Sequence, residues 1–247
     1  QMCIRDRYSD AVNLVRGKAG TEVNIAVKRG DEEISFKMKR EEITTETVTS
    51  RMLENNIAYI KITGFKENTS HQFNIELKKC LENNASAIIF DVRNNGGGLV
   101  SACSDCLDPL LPEGDIAIAE FKDGSTEVIC KSDKIELDLP MAVLVNEYSA
   151  SAAELFAAAL RDFGKAVLVG QNTFGKGIMQ NTYNLDNGGG LKLTVAKYRT
   201  VKSECYHGVG LKPDYETALP DKYSENQSDD IPENEDTQLQ KAIEILK

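Results

Sequence analysis

The chain has 247 residues, 41% hydrophobic and 28% charged, the balance of an ordinary globular protein with room for one sizeable core and a smaller module. Its formal charge of −10 argues against nonspecific nucleic-acid binding. No stretch reaches the roughly 18 apolar residues of a membrane span, and no signal peptide is visible.

Residues 1–10, QMCIRDRYSD, match no motif and are read as a foreign or truncated start, with any leader or anchor lying before them. AVNLVRG reads as a short amphipathic helix with Val12 and Val15 on one face, ended by Gly17 and Gly20. Val23, Ile25 and Val27 alternate as in a half-buried strand. An Arg29-Gly30-Asp31 turn joins them to the strand EISFKMKR. This unit, 11–40, is too small to bury a core alone. A Thr- and Glu-rich stretch then leads into the strand IAYIKI. A helix is predicted near 69–83, capped by Thr69 or Ser70, and then the buried strand SAIIFDV. A helix over 99–110 is closed by Pro112. The strand MAVLVN runs straight into EYSASAAELFAAALRDFG, an Ala- and Leu-rich helix stopped by Gly164, and AVLVG is again a strand. This alternation predicts an α/β core with parallel pairings. MQNTYNL and LKLTVAKYR are strands joined by an Asp186-Asn187-Gly188 turn. Residues 220–235 are acidic and polar and read as a flexible segment. DTQLQKAIEILK closes as a helix capped by Asp236.

Three places offer chemistry. Ser149-Ala150-Ser151-Ala152 sits where a strand turns into a helix, which presents a hydroxyl near the N–H groups of the first helical turn. A serine there is equally an N-cap. The only histidines, His71 and His207, lie in contexts that do not mark a base. A lysine can serve when burial lowers its pKa. Lys176, between glycines in TFGKG, is the best candidate, with a surface turn as the plainer reading. Gly96-Gly97-Gly98, at the exit of the buried strand, reads either as a set of N–H donors for an oxyanion or as a turn. Neither glycine segment matches a nucleotide-binding loop. Cys103 and Cys106 form a CxxC without a second ligand pair, so a zinc site is not expected.

Together DVRNNGGGL, the block VLVNEYSASAAELFAAALRDFGKAVLVGQNTFGKGIMQ, LTVAKYRT and GVGLKPD resemble the C-terminal processing peptidases, family S41, over roughly residues 11–215. The resemblance implies a ClpP/crotonase-like α/β protease core over 41–219, preceded at 11–40 by the C-terminal remnant of a PDZ-like module and followed by the segment 220–235 and a C-terminal helix over 236–247. It implies a serine endopeptidase with Ser151 as nucleophile, Lys176 as general base and Gln180 orienting the lysine. The oxyanion donors fall on the N–H groups of Gly97 and Ala152. Arg93 and Asn95 hold the glycine loop, and Asp162 is a supporting acidic residue. The chain departs from the family pattern at Gly96, Ala153 and Val201, where proline, serine and proline are usual.

The expected partners are proteins or peptides recognised by their C-terminus, with a membrane reached only through a preceding anchor, an extracytoplasmic location and a homo-oligomer as an option. No metal or cofactor is expected. Two other functions fit less well: a noncatalytic peptide-binding protein, and a crotonase-like acyl-transfer enzyme.

Overall fold

The computed structural model describes residues 8–41, 45–133, 136–185, 189–224 and 231–247. Contacts divide the chain into two compact units between Thr45 and Glu46. In the first, helix α1 (Tyr8–Val15) precedes a hairpin of β1 (Glu22–Arg29) and β2 (Glu32–Lys39). The helix begins at Tyr8, inside the stretch that matched no motif. The register sets Val23 opposite Met38, Ile25 opposite Phe36 and Val27 opposite Ile34. One face of this ribbon is therefore apolar.

The second unit runs β3 (Val48–Met52), β4 (Ile57–Ile62), α2 (Thr69–Glu82), β5 (Ala87–Asp91), α3 (Val100–Leu107), β6 (Gly114–Phe121), β7 (Thr126–Ser132), β8 (Met141–Val145), α4 (Ala152–Asp162), β9 (Ala166–Gly170), β10 (Ile178–Asn184), β11 (Gly190–Thr200), β12 (Tyr215–Glu216), α5 (Asp221–Ser224) and α6 (Thr237–Leu246). Its main sheet has the order β12-β9-β8-β5-β4-β3. All pairings are parallel except β3 with β4. The strands β5, β8 and β9 are apolar runs because both faces are covered. Ile88, Phe90, Val143 and Leu168 join one core, with α4 and its Phe156. Ile89, Ala142, Leu144 and Val169 join a second core with Leu239, Ala242 and Ile243 of α6. Phe156 meets Phe90 edge-on at 5.3 Å between ring centres, so α4 is pinned over the centre of the sheet.

A second, antiparallel sheet has the order β10-β11-β6-β7. Sequence reading left β6 and β7 unassigned, although Asp123-Gly124 marks the turn between them. It also misplaced the cap of α2, which is Asn68. Thr69 Oγ1 instead accepts the Lys66 N–H at 2.8 Å and bonds Thr47 Oγ1 at 2.8 Å. The predicted cap of α6 stands, with Asp236 Oδ1 accepting from Leu239 N at 3.0 Å. The turn predicted at 186–188 lies outside the described residues, as do residues 225–230 of the acidic segment.

Candidate active site

The parallel sheet delivers β8 to a tight turn from which α4 departs. The two serines of that turn have different fates. Ser149 is fully buried; its hydroxyl donates to Val92 O at 2.8 Å and accepts from Asn146 N at 3.0 Å. It holds the turn together. Ser151 is half-buried, at the N-cap of α4, with φ 58° and ψ −118°. A side-chain-bearing residue there costs on the order of 1–3 kcal/mol and persists only where its surroundings enforce it.

The enforcing group is Glu154, in the first turn of α4 and fully buried. Its Oε2 accepts the main-chain N–H of Ser151 at 2.8 Å and that of Lys176 at 2.8 Å. Its Oε1 accepts Thr173 Oγ1 at 2.6 Å and Gly175 N at 2.7 Å. One carboxylate thus clamps the serine turn to the TFGKG loop. Sequence reading did not single out Glu154, since a glutamate three residues after a helix cap ordinarily serves the helix alone. The loop is braced from behind by GVGL. Gly208 N donates to Gly175 O at 2.8 Å, and Leu211 N to Thr173 Oγ1 at 2.7 Å. Gly175 has φ 87°, and a Cβ there would stand 2.8 Å from Gly210 N, so no side chain fits. Lys176 itself is half-buried. Among the described residues no hydrogen bond joins its Nζ directly to Ser151 Oγ.

The glycine loop completes the site. A Cβ on Gly97 would lie 2.6 Å from Ala150 O, 2.7 Å from Ser151 Cβ and 2.9 Å from Ala152 N. Gly97 therefore touches the serine turn, beside the Ala152 N–H, which opens α4 and has no acceptor within the helix. Asn95, fully buried, positions the loop: its Nδ2 donates to Ile62 O at 2.8 Å and its main-chain O accepts Ala150 N at 2.9 Å. Its Oδ1 accepts Gly97 N–H at 2.8 Å. At Gly96 an added Cβ meets nothing within 4 Å, so the departure from proline there reflects no crowding.

Arg93 does not face the serine. Its Nη2 pairs with Asp91 at 2.6 Å and with Asp236 at 2.8 Å, and its Nη1 donates to Gln238 Oε1 at 2.9 Å. This cluster ties the start of the glycine loop to the cap of α6. Burial pushes the Asp91 carboxyl up, but the Arg93 charge and hydrogen bonds from Arg93 and Tyr59 outweigh it and leave it below the ordinary value. Its stabilising effect is present above about pH 4 and is lost as pH falls through the lowered pKa. Arg93→Ala should cost about 3–5 kcal/mol in urea unfolding, because two buried carboxylates lose their counter-charge.

The remaining expected residues lie further out. Asp162 sits in the last turn of α4, roughly 16 Å along the helix from Ser151, and accepts a hydrogen bond from Thr200 Oγ1. Gln180 is exposed on β10, at a bulge after Met179. His207 Nδ1 lies 3.2 Å from Gly175 O, whereas His71 is exposed on α2. Cys103 and Cys106 are buried free thiols of α3, and Cys103 Sγ donates to Ala152 O at 3.3 Å. Among the described residues no cluster of His, Cys, Asp and Glu could hold a metal ion. Among the described residues no helix is long and apolar enough to cross a membrane.

Comparison with known proteins converges on one family. The profile described as Peptidase family S41 matches residues 56–217. The carboxy-terminal processing protease CtpA of Bacillus subtilis is 39% identical over 215 residues, covering 86% of this chain and 46% of that protein. A probable CtpA-like serine protease of Staphylococcus aureus is 36% identical over 220 residues, covering 88% and 44%. This chain thus spans less than half the length of these curated relatives. The photosystem II D1 C-terminal processing protease superposes with a TM-score of 0.65 at 27% identity, covering 85% of this chain and 60% of that one. A putative S41 protease of Bacteroides fragilis shares the fold at a TM-score of 0.66 and 19% identity, over 91% and 65%. The match spans the elements that carry the serine turn, the glycine loop and the lysine loop, and the chain belongs to peptidase family S41.

Proposed function

We propose that this chain carries the catalytic core of a serine endopeptidase that cleaves proteins at or near their C-terminus. The observation that carries it is the shared carboxylate: Glu154 Oε2 binds the main chain of both Ser151 and Lys176. No purely structural reading requires a strained serine to be fastened to a glycine-flanked lysine. In the proposed reaction the Lys176 amine takes the Ser151 proton and Oγ adds to the substrate carbonyl. The carbonyl electron pair moves onto oxygen, held by Ala152 N–H and by a Gly97 N–H shared with Asn95. Collapse expels the C-terminal fragment as an amine protonated by Lys176, and leaves an acyl-Ser151 ester. Lys176 then deprotonates the water that hydrolyses the ester. The steps as written require no metal or cofactor. Hydrogen bonds between base and nucleophile are often long in free enzymes and tighten with substrate. Gln180 is proposed to orient Lys176 once substrate is bound.

The ribbon of the first unit fits a substrate-binding role. A two-stranded sheet is marginal alone, and Phe36 and Met38 on its apolar face are 44% exposed. We assign it as the closing part of a PDZ-like module that captures the substrate's C-terminal end. An extracytoplasmic location is part of the same proposal.

The test is cleavage of an unstructured protein, such as casein, by the full-length protein. Wild type should cleave, and Ser151→Ala should retain the fold and lose turnover. Undiminished cleavage by Ser151→Ala would overturn the reading.

A further inference from the structure

Two tyrosines beside the lysine loop have no role in the reaction above. Tyr198, on β11, is 1% exposed and grips the loop twice. Its N–H donates to Gly177 O at 3.0 Å and its phenol to Lys176 O at 2.9 Å. Its ring meets that of Tyr206 edge-on, with centres 5.9 Å apart. Tyr206 is 4% exposed. Among the described residues its hydroxyl is the one buried side-chain polar atom without a hydrogen-bond partner. Such atoms are rare, because an unpaired buried hydroxyl forfeits its bond to water for nothing. A phenylalanine would fill the same space without that penalty.

Both phenols remain protonated near neutral pH. Burial pushes Tyr198 up to about 12, against the pull of the nearby Tyr206 and Ser151 hydroxyls. Burial pushes Tyr206 well up too, helped by Tyr198 and by the Glu154 carboxylate. Each is therefore an O–H donor. Tyr198 has spent its one proton on Lys176 O, and its oxygen keeps a lone pair. The Tyr206 ring packs edge-on against that of Tyr198, and its own hydroxyl proton is unspent. Tyr206 thus brings an unspent O–H to a neighbour whose phenol oxygen can still accept.

We propose that Tyr198 and Tyr206 are positioning residues of this site: Tyr198 fixes the lysine loop, and Tyr206 backs Tyr198, donating its unspent O–H to the Tyr198 oxygen during turnover. The proposal rests on the Ser151–Lys176 reading. It gives the lone hydroxyl of Tyr206 an acceptor and steadies the lysine that both acylation and deacylation use.

The test uses the full-length protein with Tyr198→Phe, Tyr206→Phe and the double variant, measuring kcat and KM separately together with thermal unfolding. Tyr206→Phe should unfold at the same or a higher temperature, yet lose roughly tenfold in kcat with KM unchanged. Tyr198→Phe should lose at least as much. The double variant should be no slower than Tyr198→Phe alone, since Tyr206 acts through Tyr198. A wild-type kcat in Tyr206→Phe, or a change confined to KM, overturns the proposal while an inactive Ser151→Ala leaves the dyad standing. An active Ser151→Ala removes the reading beneath it.

Discussion

Lys176→Ala should lower kcat by about 10³-fold, within the range that a positioned general base contributes. The fold should survive, because the loop is held through the main chain of residue 176. Its N–H goes to Glu154 and its C=O receives the Tyr198 phenol, and the alanine variant keeps both. Thermal unfolding should therefore stay within a few degrees of wild type. Lys176→Arg is the sharper variant. A guanidinium preserves positive charge but does not give up its proton at working pH, so it cannot act as base. Lys176→Arg should be as inactive as the alanine variant. Substantial turnover in Lys176→Arg would mean that residue 176 acts by its charge, and proton removal would have to be reassigned. His207, on the carbonyl of Gly175, is then the group to examine.

Glu154 carries the second large effect, and it strikes stability and activity together. Four donors converge on its carboxylate: the N–H groups of Ser151, Gly175 and Lys176, and the Thr173 hydroxyl. Glu154→Ala leaves all four without an acceptor inside the protein. At roughly 1–3 kcal/mol for each group left unpaired, with partial relaxation, a loss of about 4 kcal/mol in denaturant unfolding is expected. The serine turn and the lysine loop then drift apart, and a misplacement of about 1 Å can cost 10²-fold in rate. Glu154→Gln preserves size but sets an NH₂ group against N–H donors on one side of the clamp, so it should restore little. A Glu154→Gln variant with wild-type kcat would show that the clamp is dispensable for turnover.

The main sheet was legible because its strands are short apolar runs punctuated by turn residues. SAIIFDV, MAVLVN and AVLVG became β5, β8 and β9, and the Ala-rich stretch stopped by Gly164 became α4. The antiparallel sheet was only half legible. In β6 the side chains of Ile116, Ala117 and Ala119 are all buried, so the period-2 alternation that marks a strand is blurred. The site divides the same way. Local pattern showed a serine at a helix start and a lysine between glycines, but each has a plain structural reading. Their joining depends on a carboxylate 22 residues from the lysine it holds, and burial turned an ordinary first-turn glutamate into that clamp. Asp236 was readable as a cap. Its second task, pairing with Arg93 across 143 residues, was not. Asp162 stood out by resemblance, yet packs at the far end of α4 on Thr200.

Chemical trapping of the nucleophile tests the central claim most directly. The full-length protein is treated with a fluorophosphonate, digested and mapped by mass spectrometry. The label should fall on the Ser151 hydroxyl, disappear in Ser151→Ala, and form far more slowly in Lys176→Ala. A label on Ser149 or any other residue, with cleavage of casein lost in proportion to it, would contradict the assignment of Ser151 as the nucleophile.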